Sequence, residues 1–184
     1  MLRQAMLEFW KHGYEGTSMT RLVEAMGIGS PSIYATFGSK ENLFREAVGM
    51  YIAEEVSPAW QALEEIEDTH LAVKTMIFRG IDTFSTAESP RGCLIVLGAA
   101  NLGGAEDSVR AFLRNLRREF HDHLGARMQR GIRDGDVDES NDPSVLSECV
   151  IAFFAGLAIE AVDGTGQDAL RRSAEFFCER LFKP

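Results

Sequence analysis

The chain has 184 residues, 45% apolar and 26% charged, with a formal net charge of −9. That size suits one well-packed domain or a small domain fused to a larger one, with the balance of a soluble globular protein. The apolar run from Cys93 to Ala100 is far too short to span a bilayer, the N-terminus lacks the charged-then-apolar design of a secretory signal, and the three cysteines (Cys93, Cys149, Cys178) show neither close pairing nor zinc spacing, which suits a reducing cytoplasm.

The charge is unevenly placed. Residues 1–50 hold five basic and five acidic side chains, so the whole excess lies beyond them, where 14 basic face 23 acidic residues. A neutral N-terminal part can approach phosphates, and an acidic remainder is kept off them.

In chain order, nearly every segment reads as helix. Leu2, Met6 and Phe9 share a face up to Gly13, and because this pattern begins at Met1 itself we expect residues upstream. Ser18 is placed to cap a second helix to Met26, with Gly27 as its stop. Ser30 and Pro31 read as N-cap and first turn of a third helix, to about Phe37. Ser39 caps a fourth, which carries the columns Leu43, Ala47, Tyr51 and Phe44, Val48, Ile52; Pro58 kinks or restarts it. Val73, Met76, Ile77, Gly80, Ile81 and Phe84 form a further stripe, and residues 88–92 a loop. Residues 93–102 are a short apolar segment. Phe112, Leu116, Phe120, Leu124, Met128 and Ile132 stand four apart along one long helix. Asp142 and Pro143 open the next, to about Val162, and Gly164 and Gly166 separate it from a last helix over about 168–182. The expected fold is all-α, with about nine helices.

The first three helices are too short to be stable alone and must pack on one another. Leu22, Val23, Met26, Ile33 and Phe37 point inward, with Ile28 in the corner. Gly27 followed six positions later by Ile33 is helix-turn-helix spacing, the turn requiring a residue that tolerates positive φ. The outer face of the third helix is then Ser30, Ser32, Ala35 and Thr36, with Tyr34 at its edge. Small hydroxylated side chains let a helix sit deep in a major groove and hydrogen-bond base edges, while Lys40 and the N–H groups that open the second and fourth helices can meet phosphates. Ser18 and Ser39 also have a purely capping role; Ser32 and Thr36, inside a short helix, do not.

The stretch GYEGTSMTRLVEAMGIGSPSIYATFGSKENLFREAV resembles the N-terminal DNA-binding domain of TetR-family transcriptional regulators. The matching pieces are Gly13-Tyr14, Thr17-Ser18, Gly27-Ile28, Ile33-Tyr34, Phe37 and Ser39-Lys40-Glu41 with Leu43-Phe44. The resemblance implies an N-terminal helix-turn-helix DNA-binding domain (residues 1–47) and a C-terminal helical ligand-binding and dimerisation domain (48–184). It further implies a homodimer on a pseudo-palindromic double-stranded operator and, usually, repression relieved by a small molecule. By position, Thr17, Ser18, Tyr34 and Lys40 look like phosphate contacts, and Arg21, Ser30, Ser32, Ala35 and Thr36 like groove-facing residues. Ala35 and Thr36 replace the aromatic and histidine of many relatives, which leaves the operator sequence open. Val23 replaces a frequent alanine.

Residues 143–162 are apolar nearly all round, so this helix is buried on both sides. A four-helix bundle with a second subunit accounts for one side. We assign it Val150, Phe154, Ala158 and Ala161, joined by Leu170, Ala174, Phe177 and Leu181 of the last helix. A single intramolecular core is the alternative. The expected cavity for an apolar or amphipathic effector is lined by Trp60, Met76, Ile77, Phe78, Phe84, Cys93, Leu97, Asn101, Phe112, Leu116, Phe120, Phe153 and Leu157, with Asn101, His121 and Arg79 as polar members. Cys93 reads as an inert core thiol before a sensor. Asp134, Asp136 and Asp138 lack the glycine and closing glutamate of a calcium loop, and His123 with Glu119 lacks a third metal ligand. We expect no cofactor, no metal and no membrane partner. The reading is a ligand-responsive dimeric repressor; a small helical enzyme and a helical interaction module with a degenerate helix-turn-helix are its rivals.

Overall fold

The computed structural model describes residues 1–86, 90–98 and 107–182. Among them the secondary structure is wholly helical. The head comprises α1 (Leu2–Gly16), α2 (Met19–Met26), α3 (Ser30–Phe37) and the start of α4 (Lys40–Tyr51). A π-helical turn, Ile52–Val56, joins α4 to the single turns α5 (Ser57–Trp60) and α6 (Ala62–Glu65). Then follow α7 (Thr69–Ser85), the short α8 (Leu94–Leu97), α9 (Asp107–Asp134), α10 (Pro143–Val162) and α11 (Gln167–Leu181). With α4 to α6 taken as one broken helix, these segments make the expected nine. The break precedes Pro58, whose ring cannot continue the α hydrogen-bond ladder.

The local signals act much as expected. Gly13 interrupts α1 at φ 69°. Ser18 Oγ accepts the Arg21 N–H at 3.2 Å, and Ser39 Oγ the Asn42 N–H at 3.0 Å. Gly27 closes α2 in the left-handed region (φ 69°), where its N–H reaches the Val23 carbonyl. One assignment shifts by a residue: Gly29 is the N-cap of α3, and Ser30 is its first helical residue.

The head core is aromatic. Phe44 receives the edges of Phe9 and Tyr14, with centroids 5.0 and 5.1 Å apart. Met6, Leu22, Ile33 and Leu43 are fully buried around them. The core continues without a break into the C-terminal helices. There α7 packs against α5, α6, α10 and α11, and α10 lies along α9.

By length and composition α10 could cross a membrane, which the shorter run at Cys93 does not suggest. Such a composition is equally that of a helix covered on two sides. Leu146, Val150, Leu157, Ala158 and Ala161 are buried in the subunit, whereas Val145, Ile159 and Val162 are exposed.

Truncating the centre of the head tests this packing. Phe9→Ala removes a fully buried ring and is expected to cost about 3–5 kcal/mol. Chemical denaturation of the purified variant measures the loss; a change under ~1 kcal/mol contradicts the packing described.

Candidate nucleic-acid interface and ligand cavity

α3 is held by Ile33, with Phe37 half-buried against the core at its end. Ile33 is fully buried, whereas Pro31, Ser32, Tyr34, Ala35 and Thr36 are exposed and Ser30 is half-buried. The helix therefore presents a convex, hydroxylated, uncharged cylinder of about 12 Å. Ser18 and Arg21 are exposed at the start of α2, and the Arg21 guanidinium lies 3.4 Å from His12 Nε2. Lys40 opens α4 with its ammonium 4.2 Å from the centre of the Tyr14 ring, a cation–π contact that holds it beside α3. The structure thus brings Ser18, Arg21, Ser30, Ser32, Tyr34, Ala35, Thr36 and Lys40 to accessible positions on the head.

Thr17 is different. It is fully buried, and its hydroxyl donates to the Gly13 and Glu8 carbonyls at 2.7 and 3.1 Å. It ties the irregular end of α1 to α2 and cannot meet a phosphate. A Ser/Thr pair looks alike in sequence, and only burial separates the cap from the tie.

A cavity of about 110 Å³ lies under the head. Tyr51, Glu55 and Val56 form its roof at the end of α4, with Ala59 and Trp60 of α5 beside them. Gly80, Thr83 and Phe84 of α7 and Cys93, Ile95 and Val96 around α8 form two walls. Arg117 and Phe120 of α9 and Ile151, Phe154 and Ala155 of α10 complete it. Gly80 is needed for this shape: a Cβ there would stand 2.4 Å from the Phe154 ring.

Of the expected lining, Trp60, Phe84, Cys93 and Phe120 belong to the cavity. Asn101 lies outside the described residues. Met76, Ile77 and Leu157 are buried in the core and do not line the cavity. Phe78 faces α11, with the Arg171 guanidinium 5.2 Å from its ring. Leu97 lies against Gly92. Leu116 packs at the margin of the core without reaching the cavity. Phe112 meets the head, 6.4 Å from the Phe44 ring and under Arg45. Arg79 bonds the Pro58 carbonyl at 2.9 Å, and His121 lines a shallow crevice between α9 and α10.

The two faces of α10 are exchanged relative to the sequence reading. Phe154, expected at a subunit interface, lines the cavity. Val150, Ala158, Ala161, Leu170 and Ala174 are buried within the subunit. Phe153, expected in the cavity, stacks on Phe177 at 4.0 Å on the outside, where Phe176 is 63% exposed. Phe177 and Leu181 stay half-exposed on the outer side. A helix apolar all round carries no polar stripe to say which side is inner, so the pattern leaves that choice undetermined.

The roof residue Tyr51 escaped the sequence reading because it continues the apolar column of α4. Its ring meets Trp10 edge-on, with centroids 4.7 Å apart, and Trp10 Nε1 donates to the Gly92 carbonyl at 3.0 Å. Burial, with Cys93 adjacent, pushes the Tyr51 hydroxyl well above its ordinary pKa. Burial also raises the Cys93 thiol, which keeps it protonated and unreactive near neutral pH. A second tie joins the head to α9. Glu41 accepts from Arg45 (2.6 Å) and from Ser108 Oγ (2.9 Å), and these bonds hold its carboxyl below the usual range.

The acidic candidates have structural partners. Asp136 accepts the Thr69 N–H and hydroxyl at 2.6 and 2.8 Å, and Asp138 caps its own turn through Ser140. His123 lies 2.7 Å from Glu64. Among the described residues no three His, Cys, Asp or Glu side chains are placed to share a metal ion.

Comparison with known proteins agrees with this architecture. Residues 1–47 match the family described as bacterial regulatory proteins, tetR family, and residues 72–177 match the tetracyclin repressor-like C-terminal domain. The chain is 28% identical to the HTH-type transcriptional repressor ComR of Escherichia coli (strain K12), over 94% of this chain and 83% of that one. It superimposes with a TM-score of 0.93 on the TetR-family regulator CifR, a cysteine mutant complexed with a 26-bp double-strand operator, at 35% identity over 97% of this chain and 94% of that one. A TetR regulator from Rhodococcus sp. RHA1 gives a TM-score of 0.68 at 30% identity, over 100% and 98% of the two chains.

Thr17→Val separates a tie from a contact. It is expected to lower stability by about 1–3 kcal/mol, since two carbonyls lose their donor, and to leave the DNA affinity of the folded protein unchanged. Denaturant titration alongside fluorescence anisotropy measures both. Weaker DNA binding at unchanged stability contradicts the assignment.

Proposed function

The chain belongs to the TetR family of bacterial regulatory proteins, and from that premise we propose that it is a dimeric repressor released from its operator when a small molecule fills the cavity under Tyr51. The observation that carries the reading is the exposed, hydroxylated outer face of α3, whose inner side is Ile33, fully buried, and Phe37, half-buried against the core. It has the size, the small side chains and the flanking Lys40 that a major-groove helix needs. Support comes from CifR, whose structure holds operator DNA. As a regulator acting on the chromosome, the protein works in the cytoplasm. We keep the division into a DNA-binding head over 1–47 and a ligand-binding and dimerisation part over 48–184, with α4 shared between them.

Two subunits present their α3 helices to successive major grooves, about 34 Å apart on one side of the duplex. Ser32, Ala35, Thr36, Ser30 and Arg21 meet base edges; Tyr34, Lys40 and Ser18 meet phosphates. The subunits pair through the exposed outer side of α10 and α11, centred on Phe153, Phe176 and Phe177. That pairing explains why α10 is apolar on the side its own subunit leaves open.

Release follows from the shared helix. α4 begins at Lys40 against DNA and ends at Tyr51 over the cavity, about 18 Å along one rigid element. A ligand that displaces Tyr51 tilts α4 and, through Trp10, α1. Emptying an operator almost fully requires the ligand to prefer the released geometry by about 5.5 kcal/mol.

The family is one of transcriptional regulators and not of enzymes. A degenerate interaction module would show no sequence-selective binding. The test is selection from a random duplex pool, then gel shifts on the selected site and scrambled controls. Tyr34→Ala and Lys40→Ala are expected to weaken binding to every duplex, Lys40→Ala lowering the salt slope by about 1. Ser32→Ala and Thr36→Ala are expected to change which base is preferred, by about 1–3 kcal/mol at that position. No selected site, or the reverse division of effects, contradicts the proposal. Separately, Phe176→Asp is expected to give a folded monomer in sedimentation, with DNA affinity at least tenfold lower. A dimer that survives this substitution contradicts the assigned subunit face.

A further inference from the structure

The cavity contains one polar feature out of keeping with its walls. Tyr51 is fully buried, lines the space, and its hydroxyl has no hydrogen-bond partner. The Cys93 thiol and the Leu94 backbone lie nearby, but neither stands within hydrogen-bond geometry of it. A buried hydroxyl left unpaired is costly. An orphan in a packed interface between two helices is unexplained; an orphan facing an enclosed space has a place for a partner.

The size of that space limits the partner. A cavity of about 110 Å³ is smaller than the ~150 Å³ apolar cavity that accepts benzene. The two charged side chains at its margin are already engaged. Arg117 donates to the Ile95 carbonyl at 3.2 Å, and Glu55 faces Arg3 at 4.0 Å. The remaining walls are almost all carbon, so an anion entering would lose its hydration with little return.

We propose that the effector is a small neutral molecule of up to about six heavy atoms, mostly hydrocarbon, whose single accepting oxygen or nitrogen takes the hydrogen bond offered by Tyr51. This makes Tyr51 the residue that sets effector specificity. The inference rests on the cavity being the effector site, as proposed above.

The experiment measures binding of three probes by calorimetry to wild-type protein and to Tyr51→Phe, without DNA. The probes are cyclopentanone, the hydrocarbon of like shape methylenecyclopentane, and cyclopropanecarboxylate, each of six heavy atoms. The substitution keeps the ring that packs on Trp10. Cyclopentanone is expected to bind wild-type and to lose about fivefold in Tyr51→Phe. Methylenecyclopentane is expected to bind Tyr51→Phe at least as tightly as wild-type, and the carboxylate to bind neither. Because the hydroxyl lacks a partner in the empty protein, Tyr51→Phe should unfold at the same temperature or higher. Equal ketone affinity for both proteins, no ketone binding, carboxylate binding in preference, or a variant several degrees less stable each overturns the inference. Operator release is read separately. A ketone that binds through Tyr51 without affecting DNA overturns the effector-site reading alone; release by a ligand indifferent to Tyr51 overturns the inference alone.

Discussion

The structure turns on the contact between Trp10 and Tyr51. Trp10 belongs to α1 and Tyr51 to the last turn of α4, two of the helices that build the head, and their rings meet edge-on at 4.7 Å. Trp10 is in turn bonded to the Gly92 carbonyl just before α8, and Tyr51 forms the cavity roof. Aromatic pairs of this kind add about 0.5–1.5 kcal/mol beyond the area they bury. The contact matters chiefly because of what it joins: the DNA-facing head, the loop leading to α8 and the cavity share one pair of rings. Close-packed interiors transmit displacement instead of absorbing it.

Glu41, Arg45 and Ser108 make a second connection, at the opposite end of α4. Together the two ties fix α4 at both ends. A helix held in this way rotates as a body about its middle, where Leu43, Phe44, Ala47 and Val48 are fully buried.

The electrostatics of the head are those of a reader of shape and hydroxyl contacts. Of its five cations, Arg3 is paired with Glu54, Arg45 with Glu41, and Lys40 rests on Tyr14. Few charges remain to displace counterions, so the salt dependence of DNA binding is shallow compared with strongly basic binders. The acidic body, carrying the entire excess of negative charge, keeps the duplex to the α3 side. Much of this was legible in the sequence. The caps at Ser18 and Ser39 and the stop at Gly27 are local chemistry, and local chemistry survives folding. Ile33 and Phe37 as the inward residues of α3 followed from helical spacing. Three features were not legible. Thr17 resembles a surface hydroxyl until its burial is known. α10, apolar on every side, hides which face is inner, so Phe153 and Phe154 exchanged roles. Tyr51 reads as one more apolar position because its orphaned hydroxyl is defined by what is missing around it.

On the proposed mechanism, occupancy of the cavity changes how far apart the two heads of the dimer stand. Nitroxide labels at exposed Glu24, introduced as Glu24→Cys with Cys149→Ser, report that separation by electron–electron dipolar spectroscopy. The account predicts one narrow distance on operator DNA and a different distance once a ligand that releases the operator is bound. A distance that stays the same while the ligand empties the operator contradicts it.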